Sequence, residues 1–127
     1  MLEQGVEFLS LDEIISNSDI ITVNIPLNKE NKNLISKDKI RLMKKTATFI
    51  NTSRAEIVDI NELIRYADEN TTFSVGLDID VENYKEVLNT KRNNVIVTPH
   101  IAGVTKEAIK RMDVELANNI RKYLVKC

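Results

Sequence analysis

Two periods of apolar residues succeed one another along the chain, and their order predicts the fold. Ser10-Leu-Asp-Glu13 has the spacing of a capping box and opens a short helix to about Asn17. Asp19-Ile-Ile-Thr-Val-Asn-Ile25 follows, a β-branched run stopped by Pro26, which reads as a buried strand. Ser36 is placed to cap a helix carrying Ile40, Leu42 and Met43, with Lys44 and Lys45 suited to its C-terminal dipole. Ala47 to Asn51 reads as the second strand. Asp59-Ile-Asn-Glu62 repeats the capping spacing and starts a helix with Leu63, Ile64 and Ala67 inside. Phe73 to Ile79 is the third strand, a polar stretch with a short helix near Tyr84 to Leu88 follows, and Asn94 to Thr98 is the fourth, halted by Pro99. Thr105 then caps a helix reaching about Val125, roughly 30 Å long at 1.5 Å per residue. Its stripe of Ile109, Met112, Leu116, Ile120, Tyr123 and Leu124 reads as a packing surface.

Alternation of strand and helix predicts right-handed crossovers and a parallel α/β sheet with helices on its faces. At 127 residues the chain is expected to be a single domain, 1–127, of about four strands, a partial Rossmann-like sheet ending in a long helix. No internal repeat, low-complexity tract or linker interrupts it.

Composition narrows the class. With 18 basic and 19 acidic residues dispersed along the chain, and three Phe and three Tyr as the only aromatics, no nucleic-acid surface is expected. No apolar run approaches the ~20 residues of a membrane span. The start resembles no secretory leader, and Cys127, alone and terminal, has no internal partner, so a reducing cytoplasm is the expected setting. No metal site is expected.

In a parallel sheet all strands end at one rim, where ligands bind. Pro26 and Leu27 follow the first strand; Thr52, Ser53 and Arg54 follow the second. Asp78 closes the third, and Pro99 and His100 follow the fourth. Singly, each has a plainer explanation: His100 as a turn residue, Arg54 as a solvated charge, Asp78 as a turn cap. Jointly they place an arginine, the only histidine and an acid on one edge. Arginine grips a carboxylate with two parallel hydrogen bonds, and histidine exchanges protons near neutral pH. That pairing suits hydride transfer to a 2-oxo acid, with the hydride supplied by a cofactor.

The segment DIITVNIPLNKENKNLISKDKIRLMKKTATFINTSRAEIVD, followed by VGLDI and NVIVTPHIAG, resembles the D-isomer-specific 2-hydroxyacid dehydrogenases, which include phosphoglycerate, glycerate and D-lactate dehydrogenases. The resemblance covers nearly the whole chain and implies the later half of a nucleotide-binding domain. It implies that Arg54 binds the substrate carboxylate and keto oxygen and that His100 is the acid-base. It also implies that Pro26, Thr52, Ser53, Arg54, Asp78, His100 and Gly103 lie against the nicotinamide end of NAD or NADP. The substrate class it implies is a small 2-hydroxy or 2-oxo acid.

Five departures qualify that reading. The family's G-x-G-x-x-G turn is absent: Gly5, Gly76 and Gly103 are far apart. The substrate-closing domain is also absent. The family's catalytic Glu falls, ungapped, on Asn83, with Glu82 one residue early as the alternative; without that anion His100 would lack a carboxylate to fix its tautomer. Ala55 stands where the family prefers Gly, and would be strained if the backbone there needs a positive φ. The loop from Asp78 to His100 looks shorter than usual. The expectation is therefore a truncated oxidoreductase domain that binds the dinucleotide weakly and is inactive alone. The alternative is a non-catalytic α/β association or regulatory module derived from that fold. In either case a cut edge at Ile20 to Ile25 and the final helix invite a homodimer.

Overall fold

The computed structural model describes residues 5–80, 82–89 and 91–125; Cys127 lies outside them. Four strands, β1 (Ile20–Val23), β2 (Thr48–Asn51), β3 (Ser74–Asp78) and β4 (Val95–Thr98), form one sheet in the order β1-β2-β3-β4. All three pairings are parallel, with Val23 opposite Asn51, Asn51 opposite Leu77 and Asp78 opposite Thr98. The predicted parallel α/β sheet is therefore what the chain forms.

Helix α1 (Leu11–Asn17) has the full capping box. The Glu13 amide donates to Ser10 Oγ at 3.3 Å, and the Ser10 amide donates back to Glu13 Oε2 at 2.9 Å. Two other helix starts differ from the sequence reading. Ser36 occupies the N-cap of α2 (Lys37–Leu42) in extended backbone, but its hydroxyl makes no capping bond. At α3 (Ile60–Glu69) Asp59 accepts from the Glu62 amide at 3.0 Å, yet Glu62 does not return the bond. Its buried carboxylate is taken by Arg41, at 2.5 Å, and by Arg65, because a buried charge is held best by charged donors. Nor does Lys44 sit over the end of α2; it pairs with Asp19 at 2.8 Å, tying the end of α2 to the start of β1.

Helices α1, α2, α3 and α4 (Lys85–Leu88) pack side by side, each against the next. With the strands in sequential order, every crossover falls on the same side, so these flanking helices cover one face of the sheet. Ile21, Val23, Phe49, Val75 and Leu77 point into that layer and meet Ile15, Ile40, Ile57, Leu63 and Ile64. Tyr66 closes the core, its ring edge-on to Phe73 with centroids 5.0 Å apart and its hydroxyl donating to the Met43 carbonyl at 2.7 Å. The opposite face carries Ile20, 68% exposed, and Ile96, 71% exposed. β1 is thus half-buried rather than buried on both faces.

Helix α5 (Lys106–Leu124) starts where expected, with Thr105 Oγ1 accepting from the Ala108 amide at 3.1 Å. The reading of its stripe as packing is corrected: none of its residues is buried, and Leu116 is 62% exposed. An amphipathic pattern specifies a face that needs covering, and among the described residues nothing covers it. No helix among the described residues is long and apolar enough to cross a membrane.

Candidate functional site

The carboxyl ends of the strands form one rim, and local chemistry shapes each loop that leaves it. After β1, the Asn24 side chain donates from Nδ2 to Thr22 Oγ1 and accepts at Oδ1 from Thr52 Oγ1, both at 3.0 Å, joining the first two loops. Ser53 Oγ donates to the Ile25 carbonyl. The turn beyond Pro26 is built by asparagines: Asn28 accepts from the amides of Glu30 and Asn31, while the Asn31 side chain donates to the Pro26 carbonyl at 2.7 Å. Together residues 24–27 and 52–54 line an open cleft of about 690 Å³.

After β2 the chain turns around Asn51, whose side chain is fully buried. Its Oδ1 accepts from the Ser53 amide at 2.9 Å and its Nδ2 donates to the Arg54 carbonyl at 3.0 Å. A short 3₁₀ turn, Ala55–Ile57, follows. Ala55 has no positive φ, so the strain considered from the sequence is not there.

After β4 the strain falls on His100 instead, with φ of +55°. Asp78 holds the turn that contains it. Asp78 Oδ1 accepts from the Thr98 hydroxyl at 2.6 Å and from the Ile101 amide at 2.7 Å; Oδ2 accepts from the Ala102 amide at 2.9 Å. Burial alone would raise the Asp78 carboxyl. The bonds from Thr98, Ala102 and Ile101, with His100 nearby, outweigh burial and hold it below the usual carboxylate range.

Arg54 and His100 meet at this rim, Nη1 to Nε2 at 3.4 Å. They share a smaller pocket of about 260 Å³ with Glu56, Asp80, Asn83 and Tyr84. Burial, with Glu56 and Asp59 nearby, pushes the Tyr84 phenol up, so it remains a donor at neutral pH. Arg54 therefore stands between two clefts, one facing Pro26 and Thr52 and one facing His100.

Of the residues singled out from the sequence, Pro26, Thr52, Ser53 and Arg54 line the first cleft, and Arg54 and His100 the second. Asp78 lies behind His100. Glu82 is not brought to this group: its carboxylate is exposed and pairs with Lys85 at 2.5 Å, whereas Asn83 lines the pocket. Gly103 lies just beyond the Asp78-held turn, with open space where a Cβ would point. Asn51 and Asn24 are absent from the sequence reading. Asn51 was discoverable, because Ala47, Phe49 and Asn51 share the alternation of one strand face and a polar residue ends an inward row.

The chemistry of the first cleft fits the nicotinamide end of a dinucleotide: hydroxyls and amides beside Ile25, Pro26 and Leu27. The pyrophosphate end has no counterpart among these residues, since none of the three glycines forms a phosphate-binding turn at a helix start.

Comparison with known proteins converges on one group. Residues 1–102 match the family described as D-isomer specific 2-hydroxyacid dehydrogenase, NAD binding domain. The chain is 37% identical over 123 residues to a glyoxylate reductase of Aeropyrum pernix, covering 93% of this chain and 36% of that protein. It is 38% identical over 118 residues to a glyoxylate reductase of Thermofilum pendens, covering 91% of this chain and 35% of that one. Among solved structures, an acyclic imino acid reductase in complex with NADPH and D-Arg superposes with a TM-score of 0.80 at 30% identity, covering 97% of this chain and 40% of its own. A D-lactate dehydrogenase from Aquifex aeolicus, complexed with NAD and lactic acid, gives 0.72 at 30% identity, covering 98% and 43%. The chain thus spans little more than a third of the length of the glyoxylate reductases it matches.

Proposed function

This chain belongs to the D-isomer-specific 2-hydroxyacid dehydrogenase family, and we propose that it carries the carbonyl-recognising half of an NAD(P)-dependent oxidoreductase site. The substrate pair is a small 2-oxo acid and its D-2-hydroxy acid. The observation that carries this reading is the approach of Arg54 to His100 at the strand ends, with His100 fixed from behind by Asp78.

The guanidinium of Arg54 binds the substrate carboxylate and draws the keto oxygen toward His100. A nicotinamide cofactor, when bound, supplies the hydride that reduces C2. His100 delivers the accompanying proton from Nε2 to the carbonyl oxygen, and takes it back in the oxidative direction. Arginine has no acceptor atom, so the resting contact with Arg54 needs Nε2 free of a proton. An incoming carboxylate on Arg54 draws the guanidinium away and frees Nε2 to take up the proton it will donate.

Pro26, Thr52 and Ser53 border the nicotinamide position, and Gly103 leaves room beside it. Without the phosphate turn, affinity of this polypeptide for NAD(P)H is millimolar or weaker, about −4 kcal/mol, and turnover by this chain alone is undetectable. It works in the cytoplasm and associates as a two-fold dimer through the bare β1 edge or the α5 stripe.

Backbone-amide NMR during titration with NADH and pyruvate tests the reading. Shifts confined to residues 24–27, 52–54 and 100–103, saturating in the millimolar range, are expected. Micromolar affinity, or shifts elsewhere, would overturn it. The second reading, a non-catalytic association module, is favoured by one observation: Glu82 turns to Lys85 and leaves Asn83 in the pocket. It predicts no rim shifts at any concentration.

A further inference from the structure

Two polar side chains lie buried at the ends of the central strands, Asn51 on β2 and Asp78 on β3, and neither faces the clefts. Asn51 is spent on the backbone of one loop, and Asp78 on two backbone amides and one hydroxyl of another. Asn51 bonds residues 53 and 54; Asp78 bonds residues 98, 101 and 102. Those loops bear Arg54 and His100 respectively.

We infer that Asn51 and Asp78 are positioning residues that set the separation of Arg54 and His100. This rests on the reading of Arg54 and His100 as the reacting pair. A carboxylate offers about four acceptor positions, and three of those on Asp78 are already filled inside the chain. A histidine at positive φ is held against an opposing backbone preference, so its surroundings must over-determine it. Asp78 does so by gripping the next two amides, which leaves His100 no route back to an extended conformation. Asn51 does the equivalent for Arg54 by accepting from one peptide and donating to the next, a double role that no carboxylate can copy.

Adjacent strands carry the two clasps in register. Asn51 lies opposite Leu77, one residue before Asp78, so the sheet itself transmits the spacing from one clasp to the other. A sheet is far stiffer than a loop, which is why the pair is anchored to strand ends.

The test needs no substrate, so its failure is distinct from failure of the proposed activity. In the whole chain, His100 is the only histidine, and its ring nitrogens are resolved without assignment ambiguity. In Asp78→Asn, amide exchange at Ile101 and Ala102 should accelerate at least tenfold, and the ¹⁵N shifts of the His100 ring should move. Amides of β1 and β2 should keep their protection. Asn51→Ala, which removes both bonds to the loop, should accelerate exchange at Ser53 and leave Ile101 and Ala102 alone. Thr98→Val removes the hydroxyl that donates to Asp78 and also reaches the Leu77 carbonyl at 3.4 Å, keeps both amide bonds to Asp78, and should shift the His100 nitrogens in the same direction by less. Unchanged His100 nitrogens in both Asp78→Asn and Thr98→Val would overturn the inference for His100. Uniform loss of protection across the sheet in Asp78→Asn would also overturn it, since that is the signature of a general stability role.

Discussion

The two faces of the sheet differ more than any other two regions of this molecule. On one, Phe49, Val75 and Leu77 are sealed beneath four helices; on the other, Ile20 and Ile96 stand open. Helix α5 likewise leaves its apolar stripe exposed. Both surfaces carry isoleucine or other apolar side chains, yet only the first contributes much to stability in the isolated chain, because burial and not composition is what water rewards. The difference teaches where the fold is self-sufficient and where it waits for more protein.

The largest effect should come from breaking the covered face. Phe49→Ala empties a fully buried site and should cost about 3–5 kcal/mol in urea unfolding, whereas Ile96→Ala on the open face should change stability by less than about 0.5 kcal/mol. Equal losses would show that the open face is covered in solution.

Next comes association. If α5 mediates the dimer, Leu116→Asp should weaken it more than tenfold, about 1.4 kcal/mol, read by light scattering, with the melting temperature extrapolated to low concentration unchanged. A wild-type chain that is monomeric at micromolar concentration, at 14.5 kDa, would refute self-association.

A smaller effect concerns pH. The Asp78 carboxyl is held below its ordinary value in the fold, so its contribution is complete above about pH 4 and fades as pH falls through the lowered value. Exchange of the Ile101 and Ala102 amides, corrected for intrinsic rates, should therefore rise on acidification below about pH 4 while the protection of β2 persists. The same measurement on Asp78→Asn should show no such dependence.

The smallest effect is expected at Gly103, where φ is ordinary and a Cβ meets nothing within 4 Å. Gly103→Ala should alter stability by no more than about 0.5 kcal/mol. Any larger defect should then appear only in cofactor binding, in the NMR titration with NADH.

What the sequence by itself determined is the parallel sheet, its strand positions to within a residue or two, and the gathering of Arg54 and His100 on one rim. Those follow from local rules: β-branched runs ended by Pro26 and Pro99, the box at Ser10 and Glu13, and the geometry that sends every parallel strand to the same edge. Tertiary structure alone decided the rest. Only the sequential strand order put α1 to α4 on one face and left Ile20 and Ile96 bare. Only packing sent Glu62 to two arginines in place of its own helix cap, and turned Glu82 to Lys85 while Asn83 faced the pocket. The positive φ of His100 and the grip of Asp78 on its turn are likewise unreadable in the sequence, because they depend on hydrogen bonds between atoms more than twenty residues apart. Periodicity reports what a segment needs to bury; which partner meets that need is fixed only when distant segments come together.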